Sequence, residues 1–542
     1  MQALELVLVL LAATAALAVL ADRLAVPPPV LMVLGGAILA SVPNLPRLSL
    51  NPDVVFLVFV PPLLYWTAVN TSWRDFRLQI RSISLLSVGL VLATMIVVAV
   101  VAHALAPELT WPAAFVLGAI VSPPDPVAVT AVTRKLGIPR TILVILEGEG
   151  LVNDATALVA YRMAVAAVVA GGFSLRTGLI RFVWSASVAV VLGLAVGVAV
   201  IAVRRRIGGM SVVENTVSIL TPFAAFIPAE RLGVSGVLAV VTVGLYLGRR
   251  GPRVVSARTR IQAYSMWQMV TFLLEGLVFI LVGLELPVAL AALHERSIIS
   301  LAGIAFAVAA AAILIRILWV FPGAYGPGLL LGKLGHPEAL PPWRSVAFVS
   351  WAGLRGSDSL VIALALPLTV AGGQPFPGRD LILFLTFAVI FVTLVLQGLT
   401  LKAVIRILRL EPDSNVALEE ARARDRAAAA GLAALEKLPA DDAASREARA
   451  ALEEKYRHRS HRYAARVKGA FHQRDEDRIE AYRRLRLGMI EAERDSVVKL
   501  RDENVISDDV LRNIQRDLDL EQVLLESPEA SLTTLEGTAR RD

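Results

Sequence analysis

The sequence predicts an all-α polytopic membrane protein: about 13 transmembrane helices in two inverted repeats, with crossed, interrupted helices and a helical cytoplasmic tail. Three observations carry this. The 542 residues are 56% hydrophobic and only 18% charged, with a mean hydropathy of +0.66, whereas a soluble domain carries about 25% charged residues. Thirteen apolar runs recur along the first 410 residues, most near the roughly 20 residues a helix needs to cross a bilayer core. Two of those runs hold charged residues among prolines or glycines, where a continuous apolar helix is not possible. This composition excludes an ordinary soluble enzyme and a disordered or fibrous chain. The absence of cysteine excludes disulfide frameworks and thiolate chemistry.

The runs lie near 3–21, 27–43, 53–69, 81–106, 111–133, 141–170, 178–203, 212–228, 233–248, 267–285, 297–320, 345–366 and 380–409. The first has no basic flank before it and no small-residue cleavage site after it, so it reads as a retained helix. Sidedness follows from the loops. One alternate set carries Arg23, Arg74, Arg77, Arg81, Arg134, Lys135, Arg140, Arg204 to Arg206, Arg249, Arg250, Arg253, Arg258, Arg260, Lys333 and Arg344. The other set carries only Arg47, Arg176, Arg181, Arg231, Arg296 and Arg379. Basic loops stay cytoplasmic, which puts the N-terminus outside and the tail inside.

The formal charge of +7 divides by position. Residues 1–410, read as the membrane domain, hold 29 Lys/Arg and 17 Asp/Glu, and residues 411–542, the tail, hold 24 and 29. The basic excess therefore sets orientation, and no nucleic-acid partner is implied. The tail reads as amphipathic helices with alternating charge and a partial apolar stripe of Leu485, Leu487, Ile490 and Val497. A solvated hairpin or dimer contact accounts for it, a regulatory domain being the sharper alternative, and its partner is unknown.

Acids at membrane depth cost about 2.5–3.5 kcal/mol each and persist where they serve a cavity. In Ser122-Pro123-Pro124-Asp125-Pro126 the prolines break the fifth helix, free the carbonyls of Pro123 and Pro124 as oxygen ligands, and place Asp125 between two half-helices. A kinked structural helix with a capping Asp is the competing reading, and the functional one is favoured. In the sixth run Glu149 and Asn153 share a helix face, and Asp154 lies a quarter turn round. A buried hydrogen-bond network competes with an ion site there, more strongly for Glu149 than for Asp154. In the twelfth run, glycines flank Arg355 in Gly353-Leu354-Arg355-Gly356, with Asp358 just after. A guanidinium cannot shed its proton, and Glu149 is its expected partner in a structural ion pair. Glu275 and Glu285 stand in the tenth run; Glu275 is expected mid-membrane as a helix contact or gate, and Asp358 and Glu275 are possible modulators. Breaks in corresponding positions of two halves are the mark of an inverted-repeat secondary transporter.

These residues together resemble the monovalent cation:proton antiporters of the sodium/proton exchanger type, in their bacterial branch. The likeness rests on Asp125-Pro126-Val127-Ala128-Val129, Glu149 through Asn153-Asp154, Gly353-Leu354-Arg355-Gly356 with Leu396 to Thr400 after it, and Pro61-Pro62-Leu63-Leu64-Tyr65. It covers roughly residues 1–410. The resemblance implies that Asp154 alternately carries the cation, Na⁺ first, and the proton, with Asp125 as second ligand or shaper of the site. It implies that Asn153 marks an electroneutral member, that Glu149 and Arg355 form the buried pair, and that the protein is a homodimer needing no cofactor. Three positions depart from the family pattern: Pro124 and Gly150 replace frequent hydroxyl residues, and Trp66 stands near a frequent acid. Asp358 is an additional acid. Selectivity and stoichiometry are left open by these departures.

The expected function is exchange of a monovalent cation (Na⁺, with Li⁺ or K⁺ as alternatives) for H⁺ in the cell membrane, serving pH and sodium homeostasis. The partners are lipid, cations and protons. A cation channel and an intramembrane aspartyl protease are the alternatives. The protease needs two carboxylates sharing one water, and the channel is separated from an exchanger by the absence of saturable counterflow.

Overall fold

The computed structural model describes residues 2–24, 26–42, 52–133, 138–170, 175–293, 296–333, 340–370, 373–410, 414–467, 473–503 and 505–526. Arg47, Arg134 and Lys135 of the loop tally lie outside these. The chain divides into two units, residues 1–412 and 413–542.

Every one of the thirteen runs coincides with a helix or a broken helix. In order they are α1 (Gln2–Leu24), α2 (Pro28–Leu39) and α3 (Pro52–Asn70). A short α4 (Trp73–Leu78) precedes the fourth run, which is α5 (Ile80–Ser84), a π-helical turn (Leu85–Leu90) and α6 (Val91–Leu105). The fifth is α7 (Trp111–Val121) with α8 (Pro126–Thr133); then come α9 (Arg140–Ala170), α10 (Leu175–Ile207), α11 (Ser211–Arg231) and α12 (Gly236–Arg250). The last are α13 (Ala257–Ala292), α14 (Ile298–Lys333), α15 (Trp343–Trp351) with α16 (Ser357–Leu364), and α17 (Arg379–Leu408). Among the described residues seven helices are long and apolar enough to span a bilayer, and α2, α3 and α7 are shorter apolar helices. The acid-bearing α9 and the broken α15–α16 are not among them.

The helices α13 and α14, at 36 residues each, are about 54 Å long at 1.5 Å per residue. That exceeds the roughly 30 Å hydrocarbon core, so they tilt or project beyond it. Ile180, Val183, Trp184 and Val191 on α10 and Ile299, Phe306 and Leu318 on α14 are exposed, as a lipid-facing surface requires. The π-helical turn was not foreseen within the continuous fourth run. It presents the Leu85 carbonyl sideways, and the Trp319 indole donates to it at 3.1 Å, so the irregular backbone is satisfied by a neighbouring helix.

Small residues set the closest crossing. A Cβ on Gly36 of α2 would lie 2.2 Å from the Ile280 carbonyl of α13, and one on Gly283 would lie 2.2 Å from Val33 O. Such backbone-to-backbone approach is how membrane helices gain van der Waals contact where lipid offers no hydrophobic contrast. Gly36→Ala is therefore expected to cost about 1–3 kcal/mol, the usual range for overpacking. At Gly303, inside α14, a Cβ meets nothing within 4 Å, and Gly303→Ala should hold or slightly raise the thermal midpoint in detergent. Equal midpoints for the two variants would contradict the close crossing.

The second unit contains α18 (Ser414–Lys437), α19 (Ala443–Val467), α20 (Gln473–Asp502) and α21 (Asp508–Glu526). Asp442 caps α19 by accepting from the Ser445 backbone N–H at 2.6 Å, which lowers its carboxyl below the usual range. In the α20–α21 pair, Ile490, Leu518 and Leu525 form a small core. Arg486 spans the pair, donating to both Glu521 oxygens at 2.7 and 2.9 Å. Of the expected stripe, Ile490 is buried, whereas Leu485 is exposed. Leu511, Leu518 and Leu525 recur on α21 at seven-residue spacing, all buried, and the last two belong to this core.

Candidate ion-binding site

The two interruptions meet. The Asp125 backbone N–H donates to the Leu354 carbonyl at 2.7 Å, and Arg355 Nε donates to the Val121 carbonyl at 2.7 Å. The Ser357 backbone N–H donates to Asp125 Oδ2 at 3.2 Å. Each charged side chain thus faces the helix end of opposite polarity: the guanidinium lies at the C-terminus of α7, and the Asp125 carboxylate at the N-terminus of α16. The groups freed by Pro124 and Pro126 on one side and by the glycine loop on the other satisfy each other inside protein. Both glycines of the loop make room for side chains. A Cβ at Gly356 would sit 1.7 Å from Asp125 Oδ2, and one at Gly353 would sit 2.3 Å from Arg316 Cδ.

The expected ion pair between Glu149 and Arg355 does not form, and Glu149 pairs with Arg316 of α14. Arg316 Nη1 and Nη2 bind Glu149 Oε1 and Oε2 at 2.5 and 2.9 Å, with both side chains almost fully buried. Arg316 Nε also donates to Val349 O at 3.1 Å, near the C-terminus of α15. Arg355 is drawn elsewhere: its guanidinium also binds Gly353 O, while its backbone N–H donates to Thr393 Oγ1 of α17 at 3.2 Å. The physical reason is that an interrupted helix offers carbonyl oxygens as an alternative to a carboxylate for a buried guanidinium. Arg316 escaped the sequence reading, although a lone Arg within the apolar eleventh run is the same signal that singled out Glu275.

Beside this crossing, α9 presents Asn153 and Asp154, both buried. Asn153 Nδ2 donates to Pro124 O at 3.2 Å. Among the described residues, Asn153 Oδ1 and Asp154 Oδ1 have no hydrogen-bond partner. The Asp154 carboxyl is in hydrogen-bonding contact with Asp358 of α16, and Asp125 lies within electrostatic range of both. Glu275 of α13 is in electrostatic range of Asp125 and Asp358. The structure therefore gathers Asp125, Asn153, Asp154, Asp358, Pro124 O and, farther out, Glu275 into one oxygen-rich locus. Gly150 has its own reason, since a Cβ there would press into the Pro126 ring at 2.3 Å. Trp66 stacks on Trp267 with ring centroids 5.9 Å apart and takes no part in the locus.

A cavity of about 330 Å³ opens one turn along α9 from Asp154, lined by Leu158, Tyr161 and Arg162 of α9, Phe56, Phe226, Glu230 and Ala365. Arg162 Nη2 contacts both Glu230 oxygens at 2.8 Å, joining α9 to α11. No sequence motif singled out this pair.

The sequence matches the family model described as sodium/hydrogen exchanger, transmembrane, over residues 8–407. It is 38% identical over 530 residues to an uncharacterized Na⁺/H⁺ exchanger of Mycobacterium tuberculosis (strain ATCC 25618 / H37Rv), covering 96% of each chain. It is 35% identical over 385 residues to the sodium, potassium, lithium and rubidium/H⁺ antiporter of Bacillus subtilis (strain 168), covering 69% of this chain and 57% of that one. Among solved structures it resembles the sodium proton antiporter MjNhaP1 from Methanocaldococcus jannaschii at pH 8, with a TM-score of 0.60 and 18% identity, over 75% of this chain and 99% of that one.

Proposed function

The chain belongs to the sodium/hydrogen exchanger family, and from that premise we propose that it exchanges a monovalent cation for H⁺ by competition at the Asp154 carboxylate. One observation carries the assignment: Asp154 Oδ1 and Asn153 Oδ1 are buried beside the crossed breaks with no donor among the described residues to satisfy them. Buried unsatisfied oxygens are costly, and a small hard cation or a proton relieves that cost. Oxygen ligands of this kind suit hard cations. The cation is Na⁺ first, with Li⁺ and K⁺ as alternatives. Asp125 and the carbonyls near Pro123 and Pro124 complete or shape the site, with Na⁺ placed at Asp154 and Asp125. The site serves one ligand at a time, and exchange follows when it opens to either side in turn. The cavity on α9 next to Asp154 supports an aqueous approach to it.

The Asn153–Asp154 pairing supports an electroneutral cycle with no bound cofactor. The Lys/Arg asymmetry of the loops supports an outside N-terminus and a cytoplasmic tail in the cell membrane. Homodimer formation is part of the same reading, as is a role in pH and sodium homeostasis. Nothing in the family supports the protease or channel alternatives.

Competition fixes the sign of the pH dependence. Protons occupy the carboxylate that binds the cation, so acidification weakens cation binding, and the apparent KM for Na⁺ rises by up to tenfold per pH unit. Proteoliposomes driven by Na⁺, Li⁺ and K⁺ gradients, with the membrane potential clamped at zero, measure this directly. The maximal rate at saturating cation should be retained as KM rises. A KM independent of pH over three units would defeat the competition, and a current that follows voltage without saturable counterflow would indicate a channel.

A further inference from the structure

We propose that Asp358 is a second carboxylate ligand of the transported cation, facing Asp154 across the site. The inference rests on the reading that Asp154 binds the ion, and it adds a ligand from the other interrupted helix. Asp358 lies in the first turn of α16, next to Ser357, whose backbone N–H holds Asp125. Its carboxyl is in hydrogen-bonding contact with Asp154 and within electrostatic range of Asp125.

The charge balance points the same way. Asp125 at the first break acts on both Asp358 and Asp154, Glu275 on α13 is in electrostatic range of Asp358, and the nearby charges of the two breaks are Glu149 on α9, Arg316 on α14 and Arg355, which act on one another. The two guanidinium groups are already committed. Arg316 binds Glu149 and Val349 O, and Arg355 binds Val121 O and Gly353 O. Among the described residues, neither Asp154 nor Asp358 forms an ion pair. Asp154 is buried and Asp358 half-buried, and carboxylates so withdrawn from water without a cationic partner need one from solution. The unpartnered Oδ1 atoms of Asn153 and Asp154 supply independent signs of an incomplete coordination shell. Ligands from α9 and α16 would then close on one ion, so binding ties together helices of the two interrupted regions.

The test is Asp358→Asn, which keeps the size and removes the charge. Purified full-length protein in proteoliposomes is assayed for Na⁺, Li⁺ and K⁺ at zero potential, and in detergent for the rise in melting temperature produced by each cation, since a ligand binding only the folded state stabilises it. The expected result is at least a tenfold rise in KM for Na⁺, a changed ratio of the Li⁺, Na⁺ and K⁺ constants, and a smaller Na⁺-induced thermal shift. An unchanged KM overturns the proposal. A uniform weakening for all three cations also overturns it, because that is charge acting through space without ligation. Inactive protein with an undiminished Na⁺ thermal shift overturns it as well. If the Asn variant does not fold, Asp358→Ser carries the same readouts. Failure of the underlying reading looks different: the unmodified protein then shows no cation-driven proton flux and no cation-induced thermal shift.

Discussion

Asp154→Asn is expected to bring cation-driven proton exchange down to the leak of protein-free liposomes while leaving the fold intact. Asn has the shape of the carboxyl but releases no proton in this range, so it cannot carry the proton half of the cycle. Its amide also places N–H donors where a cation needs oxygens. Stability should not suffer. Asp154 has one unpartnered buried oxygen and no ion pair among the described residues, and the amide can donate to Asp358 in place of the shared contact. Removing an uncompensated buried acid is neutral or stabilising. The informative result is therefore a dissociation: a melting temperature at or above that of the unmodified protein, with no exchange for Na⁺, Li⁺ or K⁺ at any pH. Residual saturable exchange in Asp154→Asn would remove Asp154 from its assigned role and shift attention to Asp358 and Asp125.

The parts of this architecture legible in the sequence are those that the bilayer imposes one segment at a time. Thirteen runs could be bounded because lipid demands apolar length from each helix separately. The two breaks could be found because proline and glycine act on their own neighbours, as Pro124 and Pro126 do around Asp125. What meets what was not legible. Asp125 touches Leu354 and Ser357 more than 220 positions away, and the choice between Arg316 and Arg355 as partner of Glu149 depends on helix packing that no local pattern records. Charge pairing suggested Arg355 because it overlooked the carbonyls that an interrupted helix sets free. Once Val121 O and Gly353 O are counted as acceptors, Arg355 is accounted for without a carboxylate, and Glu149 becomes available to α14. Asp358 was visible as an additional acid, but its contact with Asp154 required α9 and α16 to be placed side by side.

Glu149→Gln and Arg316→Met should each lower stability by about 3–5 kcal/mol, the cost of leaving one member of a buried ion pair without its counter-charge. The bidentate geometry at 2.5 and 2.9 Å and the near-complete burial of both side chains put this pair at the upper end of such effects. Arg316→Met should be the more damaging, because it also strands Val349 O near the end of α15. The double variant Glu149→Gln, Arg316→Met removes both charges together. Its loss of stability should fall well short of the sum of the single losses, and thermal unfolding of all four proteins in one detergent gives the coupling energy. Additive losses would mean that the pair is not the interaction the geometry describes. The same series separates structure from transport. If Glu149 serves only to hold α9 against α14, the folded double variant retains Na⁺-driven exchange, since Asp154, more than a turn farther along α9, is untouched. A well-folded Glu149→Gln protein with no exchange would instead place Glu149 in the ion path.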